Sequence, residues 1–465
     1  MNVLYLYNAT QTYTGTVFEH ISSFQKYSSH YSFFAHQDQY NNLSINFNCF
    51  DAVVVHYTIR LPFDQISDQN ATLLSEYKGL KVLLIQDEYD HPHRVWDWIR
   101  RLGIRLVFTV VPKDGISLVY PPQEFPGVRF VSVLTGYVPE NLPTGLFQPP
   151  SKRQLIVGYR GRPLPIRYGN LGLEKVDIGM LVARYCESQK ITHDIAWSEE
   201  ARIYGPKWYE FVSSSRAMLG SESGSNVFDW DGTLATKIQE FRKYNPHSTD
   251  NVIYSTLIAP LELPGLMNQI SPRVFEAIAS HTVLVLFEGS YSGVVTPGEH
   301  FISLKKDGSN LEEVFRLLAD GSYVDAMAER AYQDIIGSGR YSYQQFVSLV
   351  DEEMETSIRL LDFGKSNVVM SCLDSNHQDP VTPITTLPFR AAPPLPAPVF
   401  DTCITRLPIH AMPPQPSTDT LMHTIMGSRG LKNFARRMTV YLWSLQPEAM
   451  RIFLKPRLKR LLGKN

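Results

Sequence analysis

Short apolar runs recur along the first 135 residues, each closed by a turn and followed by an amphipathic stretch. Residues 3–7, 52–57, 82–85, 106–111 and 129–134 are apolar continuously rather than alternately, as strands buried on both faces of a parallel sheet must be. Between them, 16–27, 70–77 and 93–102 carry helical periodicity. Strand and helix alternating in this way is the sequence form of a βαβ unit.

The pattern breaks at 139–151, where four prolines and a glycine interrupt it, and then restarts. Strands are expected at 155–159, 194–197, 217–220 and 283–287. Helices are expected at 173–188, 206–214, 272–280, about 310–319 and 323–336. A last helix over about 342–361 is long enough to cross back over the first half. At 465 residues the chain is too long for one hydrophobic core, so the pattern divides into an N-terminal α/β domain (1–150), a second α/β domain (151–342) and a crossing helix (343–364). Eleven prolines remove any periodicity from 365–420, which reads as a flexible linker.

Charge changes the picture only at the C-terminus. The whole chain is formally −2, but 421–465 holds ten Lys/Arg against Glu448 alone. That tail is +9 and the remainder −11. Leu431, Phe434, Met438 and Leu442 fall on one helical face of the tail, with Arg436 and Arg437 elsewhere. Basic amphipathic helices of this kind dock on anionic membrane surfaces, or pack on a partner. A near-neutral total argues against nucleic acid as a ligand. Four scattered cysteines (Cys49, Cys186, Cys372, Cys403) suit a reducing compartment rather than a disulfide or zinc framework. The start of the chain lacks the basic region of a signal peptide, and no 18-residue apolar stretch occurs. A cytoplasmic protein is expected, held at the inner face of a membrane if the tail docks there.

Ligands of open parallel sheets bind beyond the carboxyl ends of the strands, so the loops after strands are where chemistry is sought. After 155–159 comes Gly158-Tyr-Arg-Gly-Arg162-Pro-Leu-Pro-Ile-Arg167, whose guanidinium groups suit phosphate oxygens and a developing negative charge; a solvated basic loop would look the same. After 217–220 comes Ser221-Glu222-Ser223-Gly224, small residues that let a ligand approach the backbone, or else a plain Ser/Gly turn. Ser271 and Pro272 open a helix, whose N-terminus attracts anions. Arg273 and Glu276 lie in its first turns, and Glu276 is placed to hold a ribose diol.

The run Arg273-Val-Phe-Glu276-Ala-Ile-Ala-Ser and the strand after it resemble the donor-binding helix of the group 1 glycosyltransferases of GT-B fold. The likeness is specific over 205–320, including Glu288-Gly-Ser-Tyr-Ser-Gly and Pro297-Gly-Glu-His300. The pair Arg162 and Arg167 resembles that family's diphosphate-binding basic pair. Asn268 stands where the family's first glutamate is usual, as in a subgroup with a shortened motif that is similar to spore-maturation proteins. The resemblance implies two Rossmann-like domains facing each other across a cleft, with a nucleotide sugar bound by the second. It implies transfer without cofactor or metal ion, leaning to retention at the anomeric carbon, onto a glycan or lipid-linked acceptor in surface-polysaccharide synthesis. It gives Glu276 to the ribose.

The acceptor side is sought on the first domain, in the hydroxyl-rich loop holding Thr10, Thr12 and Gly15, with His20 just beyond it and His56 at a strand end. Asp87 and Glu88 follow a strand and are candidates for a general base if the reaction inverts; surface carboxylates and a helix cap are the plain alternative. A scaffold that binds a nucleotide sugar without turnover is the competing function, favoured by Asn268, and an epimerase or phosphorylase is a third. Phe228-Asp229-Trp-Asp231-Gly-Thr-Leu mimics a phosphatase motif, but no apolar strand precedes it.

Overall fold

The computed structural model describes residues 1–142 and 147–362. The linker 365–420 and the basic tail 421–465 lie outside the described residues.

Two parallel sheets carry the chain. The first contains β1 (Asn2–Tyr7), β2 (Tyr31–His36), β3 (Ala52–Val55), β4 (Leu80–Ile85), β5 (Leu106–Thr109) and β6 (Arg129–Ser132), in the order β2-β1-β3-β4-β5-β6. Its connections include α1 (Gly15–Tyr27), α2 (Asp68–Glu76), α3 (Pro92–Leu102) and the short α4 (Ile116–Val119). All five strand pairs are parallel. Alternate side chains of each strand enter different cores. Leu4, Val53, Leu83 and Val107 pack on α2 and α3. Val3, Tyr5, Val54, Val82 and Phe108 pack on α1 and on a helix from the far end of the described chain.

The second sheet contains β7 (Leu155–Arg160), β8 (His193–Ala196), β9 (Ser215–Gly220), β10 (Val283–Phe287) and β11 (Ile302–Leu304), in the order β11-β10-β9-β7-β8. It too is parallel throughout. α5 (Gly169–Gln189) and α6 (Pro206–Ser214) follow β7 and β8. α7 (Leu234–Tyr244), α8 (Asp250–Ile253) and α9 (Pro272–Ala279) fall between β9 and β10. α10 (Leu311–Ala319) and α11 (Gly321–Ala331) come after β11, and α11 continues into a wider π turn at Tyr332–Gly337. The chain therefore has the expected architecture, two doubly wound α/β domains. α12 (Tyr343–Asp362) then returns to the first sheet, where Tyr343, Phe346, Val347, Val350 and Met354 close its second core.

Three features depart from the sequence pattern. β2 and β11 were not expected. β2 lies at the edge of its sheet and is buried only at Phe34 and Ala35, while β11 is three residues long. The stretch between β9 and β10 holds α7, α8 and a π turn (Tyr254–Ile258) around a small core of their own. Part of it crosses to the first domain, where Phe228 and Met267 enter the α2/α3 core and Trp230 packs on it. Asp229 pairs there with Asp90 as an isolated parallel bridge.

Candidate functional site

A cavity of about 480 Å³ opens where the carboxyl ends of the two sheets meet. The first domain contributes Arg60, beyond β3, and Asp87, Tyr89 and Asp90 from the turn after β4. The second contributes the loop after β7 (Arg162 to Pro165), Lys175 of α5, Gly220 at the end of β9 with Ser221, Ser223 and Gly224 after it, and Ser271 and Arg273 at the start of α9. Val212, Met218, Leu284, Leu286 and Ala277 form an apolar floor, with Trp208 beside it. A polar mouth over an apolar floor is the usual make-up of a small-molecule site.

Among the described residues, three cations that face this space have no acidic partner. Arg162 is exposed and makes no hydrogen bond or ion pair among the described residues. Arg273 donates to the Arg160 carbonyl and lies over the Trp208 ring, 5.1 Å from its centroid, with no carboxylate in contact. Lys175 donates to the Ser223 hydroxyl at 3.2 Å. Burial, helped by Arg273 and Arg162 and opposed by Glu174 and Asp87, lowers its pKa to about 8. An anion bound beside it favours its charged form. The backbone is shaped for close approach. Gly224 has φ +105°, and a Cβ there would stand 2.1 Å from the Met267 carbonyl oxygen. Ser271 caps α9 without spending its hydroxyl on the helix.

Opposite the cations stands Asp87. Its φ of +60° is the left-handed conformation that a non-glycine residue adopts only when its surroundings impose it. Tyr89 donates its hydroxyl to Asp87 at 2.7 Å, and Arg60 lies 3.6 Å away. Its neighbour Glu88 turns inward. One carboxylate oxygen accepts from Thr109 at 2.5 Å and from the Val110 amide at 3.0 Å, while the other is buried without a partner. Burial raises the Glu88 pKa to about 7. Of the two, only Asp87 lines the cavity.

Other candidates are spent on structure. Arg167 is not part of the lining; it pairs with buried Asp90 at 2.7 Å and donates to the Tyr168 hydroxyl at 2.5 Å. Glu276 lies one helical turn behind the wall. It accepts from Trp208 Nε1 at 2.7 Å and from Thr16 of α1 at 3.2 Å, and burial raises its pKa. Glu222 accepts from the amides of Ser290 (3.0 Å) and Tyr291 (2.7 Å) and from Asn268 at 2.5 Å. Asn268 in turn accepts from Asn226 at 2.7 Å. Ser221 and Ser223 remain in the lining, the first donating to the Glu222 carbonyl at 3.3 Å.

The acceptor candidates are not gathered at the cavity. His20 and His56 are buried side by side, Nδ1 to Nε2 3.0 Å, and burial lowers both pKa values, that of His20 to about 3. They form a neutral pair inside the first domain. Thr10 bonds to Asn8, Thr12 to the Ala9 carbonyl, and Gly15 opens α1. Asp229 accepts from the Leu234 amide at the start of α7, and Asp231 from Thr233, so both aspartates organise a turn.

Sequence reasoning missed Lys175, Arg60 and Tyr89. Lys175 follows Leu173-Glu174 on an amphipathic helix, where charge ordinarily means a solvated face. Its one signal is position, in the first turns of the helix after the Arg162 loop. Among the described residues no three of His, Cys, Asp or Glu are placed to hold a metal ion, and no helix is long and apolar enough to cross a membrane.

No protein-family model and no curated protein matches the chain. Solved structures do share its outline. One is T4 phage BGT in complex with its UDP-glucose substrate (12% identity, 77% of this chain and 99% of that one, TM-score 0.44). Another is a trehalose-6-phosphate protein from E. coli bound with UDP-2-fluoro glucose (9%, 76% and 99%, TM-score 0.42). A third is sucrose-phosphate synthase from Thermosynechococcus elongatus (12%, 78% and 100%, TM-score 0.38). The likenesses are too distant to carry a residue across, and the site stands on its own geometry.

Proposed function

We propose that the chain is a glycosyltransferase that takes its sugar from a nucleoside-diphosphate donor. The observation that carries this is the convergence of Arg162, Lys175 and Arg273, none with an acidic partner, on one cavity between two α/β domains. A diphosphate is the ligand that such a cluster fits: two to three negative charges, planar forks for its oxygens, and the start of α9 beside it. As the bond from the anomeric carbon to the phosphate oxygen breaks, its electron pair stays with the leaving diphosphate. The three cations stabilise that charge without rearrangement and without calling on a metal ion.

On the facing wall, Asp87 is the carboxylate within reach of an incoming hydroxyl. In this reading it takes the acceptor proton as the new C–O bond forms and the configuration inverts, in place of the retention that the family resemblance implies. Glu276 shapes the wall through Trp208 rather than holding a ribose. The acceptor is a glycan or a lipid-linked glycan, in surface-polysaccharide synthesis. The basic pattern of 421–465 supports recruitment to an anionic membrane face. A binding scaffold remains the second reading, because Asn268 and Glu222 are locked to each other.

Calorimetry against a panel of nucleotide sugars, followed by assay of released nucleoside diphosphate with glycan acceptors supplied, separates the two. The proposal expects binding and turnover, with Arg162→Gln weakening donor binding at least tenfold and Asp87→Asn removing transfer but not binding. Binding by the wild type without any turnover favours the scaffold, and full activity in both variants refutes the site.

A further inference from the structure

Arg167 lies five residues beyond Arg162 on the same loop, yet it serves a different surface. Its guanidinium is 2.7 Å from Asp90, whose side chain is only 2% exposed, and is stacked 4.2 Å from the Tyr168 ring centroid. Asp90 belongs to the first domain and Arg167 to the second. The contact is extended on both sides. Arg60 stands 3.4 Å from Asp90 and 3.6 Å from Asp87, and Tyr168 Oη lies 3.3 Å from Asp90 and packs its ring edgewise on Tyr89 at 5.5 Å. Charges alternate along the row Asp87, Arg60, Asp90, Arg167, from the acceptor wall to the donor loop.

Of the four residues in the segment between the two arginines, Pro163, Leu164 and Pro165 line the cavity. Two prolines restrict its backbone, and Pro165 is extended at φ −55°, ψ 142°. Anchoring Arg167 therefore anchors Arg162.

We propose that Arg167 and Asp90 form a latch between the domains that sets the donor loop at its working distance from Asp87. Arg167 is thus a positioning residue and not a phosphate ligand. The inference rests on the transferase reading above. Its consequence is a separation of binding from rate. Removing a cation that touches phosphate weakens donor binding. Releasing the latch leaves the phosphate site intact but lets the reacting groups drift, and a displacement of about 1 Å costs on the order of 10²-fold in rate.

The test uses the full chain, with Arg167→Met, Asp90→Asn and the double variant, Arg162→Gln for comparison, and uridine diphosphate as probe. Expected are a nucleotide Kd for Arg167→Met within about threefold of wild type and a kcat lower by about 10²-fold. Asp90→Asn should fall similarly, and the double variant no further than the worse single, since residues sharing one interaction are not additive. An unchanged Kd also reports that the cavity is folded. The latch is overturned if Arg167→Met loses nucleotide affinity as Arg162→Gln does, if its kcat is that of wild type, or if the two substitutions multiply. A wild type that binds neither uridine diphosphate nor any nucleotide sugar of the panel overturns the transferase reading instead, and is told apart by that result.

Discussion

Lys175 is the residue on which the electrostatics turn. Its pKa of about 8 in the folded chain lies well below the ordinary lysine value of 10.5. The unfolded chain holds this proton up to about pH 10.5 and the folded one releases it from about pH 8, so the apo protein gains stability between those values. Anion binding runs the other way, because the diphosphate needs the charged amine. Nucleoside-diphosphate affinity should therefore fall as pH rises through 8, by up to about tenfold per unit. Lys175→Met should remove that dependence while stabilising the empty protein by about 2 kcal/mol at pH 7. Titration calorimetry at pH 7, 8 and 9 with thermal melts of both proteins checks this. A wild-type affinity that is flat over that range would mean that Lys175 does not meet the ligand. Residues of this kind resist reading from sequence. Arg162 is legible through its place in a basic loop at the carboxyl end of a buried strand, although the same pattern also pointed to Arg167, which is spent on structure. Lys175, Glu88 and the pair His20 and His56 have meaning only once it is known which way a side chain points and what surrounds it.

Elements were easier to read, for physical reasons. Strands such as β3 and β10 are buried along their whole length, so their apolar runs are uninterrupted. The start of α9 was visible through Ser271 and Pro272. β2 was hidden because an edge strand with mixed burial has no clear period, and the crossing stretch 226–232 because its aromatic residues serve the other domain's core. One turn can be tested on its own. Gly224 combines a φ of +105° with a backbone oxygen 2.1 Å from where a Cβ would stand. Gly224→Ala should cost about 2–3 kcal/mol in stability through strain and clash, and should weaken nucleotide binding more than tenfold, because it displaces the loop carrying Ser223, the hydrogen-bond partner of Lys175. Denaturant melts and calorimetry of the one variant decide it; wild-type values in both would mean that the turn relaxes freely.

At the scale of the molecule, two sheets, a crossing helix and an exchanged aromatic segment hold two loop clusters face to face. The two-domain α/β plan was legible from the alternation of strand and helix and the proline-rich break at 139–151. The division of labour inside the cleft was not, since it depends on Asp90 and Arg167 meeting across 77 positions of sequence. That division makes the cavity cations the centre of the account. The most direct measurement is a crystal structure of the chain with uridine diphosphate bound. The phosphate oxygens should lie at about 2.7–3.2 Å from Arg162, Lys175 and Arg273, with Arg167 still on Asp90. Phosphates seated on Arg167, or anywhere outside the cleft, would contradict it.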